Sequence, residues 1–162
     1  SNTKEPWYYE MHELGYNYRI TDIQCALGSN QLKKLDTFVS KRCEIAKRYN
    51  RAFKNIASLT PPTKPKNAKS SYHLYPLQIK FDNFPFSKLE FFEKMKNSGI
   101  QLQVHYIPIH FQPFYRKNYG FKKGDFPFTE EFYKNEFSLP IYPNLSNSDV
   151  SKIIDHILSI VK

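Results

Sequence analysis

Glycine is scarce in this chain, five residues in 162, too few and too scattered for a glycine-rich loop that would cradle phosphate on backbone amides. Cysteine is scarcer still, with only Cys25 and Cys43. Were both on one helix, their separation of 18 residues would place them roughly 27 Å apart, beyond the reach of a disulfide. CxxC and HExxH spacings are missing and no acidic cluster replaces them, so no metal site is expected. The chain shows no signal peptide and no apolar run long enough to cross a bilayer, which makes a reducing cytoplasm the expected setting, with no membrane partner. An RNP motif, zinc-finger spacing and a helix-turn-helix pattern are also missing, which argues against nucleic acid as the partner.

Positive charge and aromatic rings are abundant. The formal net charge is +9 and aromatic residues make up 17%. Such a charge invites a polyanionic partner, whether nucleic acid, anionic lipid or a diphosphate ligand, although it also serves solubility. Basic residues are spread along the chain and never form the block of five or six like charges that marks a tail. A chain of this length can bury one core, giving one domain or one domain with an appendage.

Thr21 followed by Gln24 has the form of a capping box, with Asp22 favouring the positive end of the helix dipole. From there to about residue 53, Ile23, Ala26, Leu27, Leu35, Phe38, Val39, Ile45, Ala46, Tyr49 and Phe53 recur in steps of three and four, the signature of a long amphipathic helix. Gly28-Ser29-Asn30 is its weak point, where a kink or a tight helix contact is expected. Residues 1–20 read as an extended arm or hairpin, 21–54 as a long connecting helix, 55–71 as a proline-rich connector, and 72–162 as a small C-terminal α+β domain. Within that domain Tyr72–Phe81 reads as a strand, with Pro76 suggesting an edge. Ser87 caps a helix with Leu89, Phe92 and Met95 on its apolar face, and Gly99 ends it. Ile100–His110 reads as a strand broken at Pro108, residues 111–128 as loop, and 129–137 as a short helix. An extended segment follows, and then a helix capped by Ser146. The expected result is a short, mainly antiparallel sheet covered by helices.

Two stretches could carry chemistry. Asn17 and Arg19 stand just outside the helix start, in extended or turn backbone where side chains can face a ligand. An ordinary capped helix with a polar lead-in would look the same. His105, Tyr106 and His110 lie where a strand runs into a proline-containing loop, and both ring types can donate to phosphate or to sugar hydroxyls. A histidine at a strand end is also a common packing residue. His73 is expected to be buried and hydrogen-bonded.

Gly15-x-Asn17-x-Arg19, then Asp22-Ile23-x-x-Ala26-Leu27-Gly28 and Gln31-Leu32, resemble the DegT/DnrJ/StrS family of sugar aminotransferases, and His105-Tyr106-x-Pro108 resembles a segment near that family's sugar-nucleotide pocket. The likeness covers nearly the whole chain but only the C-terminal part of the family's length. It implies part of a fold-type I transferase dependent on pyridoxal 5'-phosphate, active as a homodimer. The reaction it implies passes an amino group, from glutamate, to a UDP-linked 4-keto-6-deoxy sugar in bacterial surface-glycan or flagellin-glycan biosynthesis. It also implies that Asn17 reaches the cofactor phosphate of the neighbouring subunit, and that Arg19, His105, Tyr106 and His110 contact substrate. The family's cofactor-bonding lysine, its acidic partner and its phosphate loop lie upstream, and no lysine here stands in a matching context. No catalytic residue is therefore expected in this chain, and alone it should be inactive. A basic nucleic-acid-binding module and a non-catalytic dimerisation module are the competing readings.

Overall fold

The computed structural model describes residues 6–161. The chain divides into two compact units, Ser1–Lys34 and Leu35–Lys162. The first five residues of the expected arm lie outside the described part.

In the first unit, residues 6–20 form no strand. What order they have is local: Tyr16 and Tyr18 stack with ring centroids 5.1 Å apart. Helix α1 (Asp22–Leu32) starts where the capping box predicts, with Gln24 N donating to Thr21 Oγ1 at 3.4 Å and Thr21 N donating to Gln24 Oε1 at 3.0 Å. No residue of α1 is buried, and Ile23 remains 83% exposed.

The expected single helix over 21–54 is two helices. Gly28 causes no break, and nothing stands within 4 Å of a Cβ built on it. The interruption falls at Lys33-Lys34, where Lys34 N donates to Gln31 O at 3.0 Å and the ladder tightens into an i→i+3 turn. Helix α2 (Leu35–Phe53) then belongs to the second unit, so the compact domain begins at Leu35 rather than at Tyr72. The reason is packing. Ile45, Ala46, Tyr49 and Phe53 are buried in the same core as α6 (Asn147–Val161), whose inner face is Val150, Ile153, Ile157 and Val161. The basic side chains of α2 are also not simply solvated. Arg42 Nη1 donates to the carbonyls of Tyr72, His73 and Ile141 at 3.4, 3.3 and 2.6 Å, and Arg48 reaches Asn147 and Ser151.

The sheet is antiparallel in the order β1 (Leu59–Thr60), β2 (Pro76–Ile79), β3 (Glu136–Ser138). Strand β1 lies inside the expected connector. Pro76 opens the central strand rather than an edge. Its missing N–H is harmless, because the Ser138 backbone opposite it pairs with Gln103 on the other side. Helix α3 (Lys88–Asn97) has the expected capping box but buries Phe91 and Met95, an i, i+4 pair, and leaves Leu89 69% exposed. Between α3 and β3 in the chain lie α4 (Pro113–Tyr119), in a stretch expected as loop, and α5 (Pro127–Asn135). Proline occupies the first turn of each, and Gly120 closes α4 at φ +71°. His73 is exposed, in place of the expected burial, because the backbone there faces Arg42 with its carbonyls.

Candidate functional site

The second unit gathers His105, Tyr106 and His110 onto one turn, and three neighbouring segments fix its course. Ile100 and Leu102 are buried, and Gln103 exchanges both backbone hydrogen bonds with Ser138, at 3.3 and 2.7 Å. Continued two residues further, this antiparallel register would set His105 opposite Glu136. The pair cannot be completed there, because Glu136 also closes α5 and gives its N–H to Phe132 O, leaving none for His105 O. The His105 N–H turns instead to the Glu136 side chain, donating to Oε2 at 3.1 Å. The expected strand thus shrinks to a single bridge, and the chain leaves the sheet at His105.

Beyond it, Tyr106 is 71% exposed and Ile107 and Ile109 are exposed with it, whereas Pro108 is buried. The His105 and Tyr106 rings meet edge-on at 4.7 Å. Nδ1 of His105 is buried without a partner, so Nε2 is the ring nitrogen left for a ligand. A single 3₁₀ turn, Ile109–Phe111, closes the segment.

His110 was expected among the substrate contacts and takes a different place. It is only 5% exposed. Its ring lies 4.4 Å from that of Phe111 and 4.8 Å from that of Phe126, and its Nε2 is 2.9 Å from Glu130 Oε1. The same oxygen accepts from Gly124 N at 2.7 Å. Burial acts to raise the Glu130 pKa, but the Gly124 and His110 hydrogen bonds outweigh it and hold the carboxyl below the usual range. His110 is thus an anchor of the turn. Sequence reasoning missed Glu130 and Glu136 as its counterparts. The one available signal was a pair of acids in the last helix and strand before Ser138-Leu139-Pro140.

Asn17 and Arg19 lie in the first unit, both exposed, and neither side chain makes a hydrogen bond among the described residues. They remain available to an external ligand.

The chemistry this arrangement offers is recognition. A phenol, an imidazole nitrogen and apolar side chains on one exposed turn can hydrogen-bond hydroxyls and cover a ring face. Among the described residues no group of three or more His, Cys, Asp or Glu is placed to hold a metal. The residues present do not build a pyridoxal-phosphate site by themselves. Lys88 is the one described lysine whose pKa is lowered, by burial, with the Glu136 carboxylate acting in the opposite sense. Its Nζ is already committed to Tyr133 O at 2.6 Å and stands 5.0 Å over the Tyr133 ring. It is a packing lysine.

The profile of the DegT/DnrJ/EryC1/StrS aminotransferase family matches residues 1–158. A Campylobacter jejuni UDP-4-amino-4,6-dideoxy-N-acetyl-beta-L-altrosamine transaminase is 40% identical over 98% of this chain and 42% of its own length. The structure of Helicobacter pylori PseC, an aminotransferase involved in the biosynthesis of pseudoaminic acid, superposes with a TM-score of 0.83 at 35% identity, over 98% of this chain and 42% of that one. A putative sugar aminotransferase from Streptococcus pneumoniae in its PLP form gives 0.83 at 28% identity, over 96% and 39%. The chain spans about two fifths of the length of the curated relatives it matches.

Proposed function

The chain belongs to the DegT/DnrJ/EryC1/StrS aminotransferase family, and from that premise we propose that it is the C-terminal part of a pyridoxal-phosphate-dependent sugar-nucleotide aminotransferase. The substrate is a UDP-linked 4-keto-6-deoxy-N-acetylhexosamine and the amino donor is glutamate. The reaction belongs to pseudaminic-acid-type glycan biosynthesis in the cytoplasm, and the working enzyme is a homodimer. The observation that carries this reading is the 40% identity to an altrosamine transaminase over 98% of the chain, together with an exposed His105–Tyr106 turn of the kind a sugar nucleotide can occupy.

When bound, the cofactor supplies an electron sink that lets an amino group leave one carbon and enter another. The residues of this chain bind and orient. Asn17 donates its side-chain amide to the cofactor phosphate held by the other subunit. Arg19 offers a planar fork of donors to the substrate diphosphate. Tyr106 and Nε2 of His105 hydrogen-bond the sugar nucleotide, while His110 acts through the turn it anchors. The proton-shuttling lysine is contributed by sequence beyond this chain.

The test is direct amination. Full-length enzyme given pyridoxal phosphate, glutamate and the UDP-linked 4-keto sugar should yield a product carrying the amine in place of the ketone, read by mass spectrometry. The isolated chain should yield none. A full-length protein that aminates no nucleotide-linked keto sugar would overturn the reading.

A further inference from the structure

A carboxylate sealed from water is costly unless a cation or several donors face it. Glu136 is fully buried, and although its charge acts on Lys88 it forms no salt bridge among the described residues. Its two oxygens are divided between two uncharged donors, Ser138 Oγ on Oε1 at 2.7 Å and the His105 N–H on Oε2 at 3.1 Å. A residue needed only to fill this part of the core would be apolar, since a side chain of similar volume packs there without the desolvation penalty. The acid stands where the ladder with Gln103 ends, and its own N–H closes α5.

We propose that Glu136 is a positioning residue for the His105–Tyr106 turn: its carboxylate takes the His105 N–H at the point where the ladder with β3 ends, and so fixes the direction in which Tyr106 and the open nitrogen of His105 meet the nucleotide sugar. The proposal rests on the sugar-aminotransferase reading above. The far end of the same turn uses the same device, with Glu130 holding His110 at 2.9 Å. Both acids belong to the continuous α5–β3 segment. The middle of the turn, Tyr106 to Ile109, exposed at all but Pro108, is therefore strung between two carboxylates on helix and strand, the arrangement that keeps a recognition surface in one geometry. Ser138 Oγ holds the other carboxylate oxygen of Glu136.

Glu136→Gln keeps the size and removes the charge, leaving one acceptor oxygen for two donors. In the isotope-labelled chain, the His105 amide should exchange with solvent about tenfold faster or more, the scale expected for losing a hydrogen bond to a charged acceptor, while the Gln103 and Ser138 amides stay protected. In the full-length enzyme, KM for the nucleotide sugar should rise about tenfold. The half-reaction with glutamate alone, followed by the cofactor absorbance, should be unchanged. Should Glu136→Gln melt the domain, Glu136→Asp keeps the charge, shortens the reach by one methylene and reads the same quantities. Unchanged His105 exchange, or equal losses in both half-reactions, would overturn the proposal. A wild-type enzyme that reacts with glutamate but aminates no nucleotide sugar would instead overturn the function assigned above, and His105 exchange still decides whether Glu136 holds the turn.

Discussion

A histidine and a glutamate tie down one end of the turn that runs from His105 to Phe111. His110 is buried and Glu130 half-buried, and the Glu130 carboxyl is held below its usual pKa by the Gly124 amide and the His110 ring against the opposing pull of burial. A carboxyl with a depressed folded-state pKa binds fewer protons folded than unfolded. Its contribution to stability is therefore fully present above the unfolded value, about 4.3, and is lost as pH falls through the lower folded value. Thermal melts of the chain from neutral pH downward should show wild type losing Tm across that acidic window. Glu130→Gln should start lower at neutral pH and fall less steeply through it. Parallel curves would mean that the ionised carboxylate contributes nothing to the anchor. The pairing was not legible in the sequence: His110 and Glu130 stand 20 residues apart, and only the course of the chain between them brings them together.

Elements were legible wherever a local signal and the core agreed. The capping boxes at Thr21 and Ser87 mark the starts of α1 and α3, and Ser146 caps α6 as expected. Readings failed where tertiary packing chose among local options. In α3 the sequence offers two apolar faces, and Phe91 is selected because Phe81, Phe86 and Phe137 surround its ring at 5.7, 6.1 and 4.9 Å. Phe91→Ala should consequently cost about 3–5 kcal/mol in urea unfolding, whereas Leu89→Ala should change stability by less than about 0.5 kcal/mol. A larger loss at Leu89 would return the helix to the face its sequence first suggests. The break at Lys33-Lys34 carries no glycine or proline and so no sequence mark. Helix α4 did carry one, Pro113 at its start and Gly120 at its end, within a stretch whose aromatic and glycine content obscured it.

At the scale of the whole molecule, the described parts divide labour. The second unit holds a folded core and presents a turn; the first carries Asn17 and Arg19 on exposed backbone ahead of a capped helix. In the proposed enzyme neither is a catalytic site alone, because the cofactor-bonding lysine comes from elsewhere and, for Asn17, from the other subunit. That cross-subunit division is the central claim. Full-length enzyme carrying Asn17→Ala should be impaired by weakened cofactor retention, and enzyme lacking the active-site lysine should be inactive. In a mixed dimer one composite site receives both lesions and the other receives neither. Mixing the two variants under conditions of proven subunit exchange should therefore restore activity, approaching half of wild type per mixed dimer. Activity that stays at the level of the separate variants despite exchange would contradict the account.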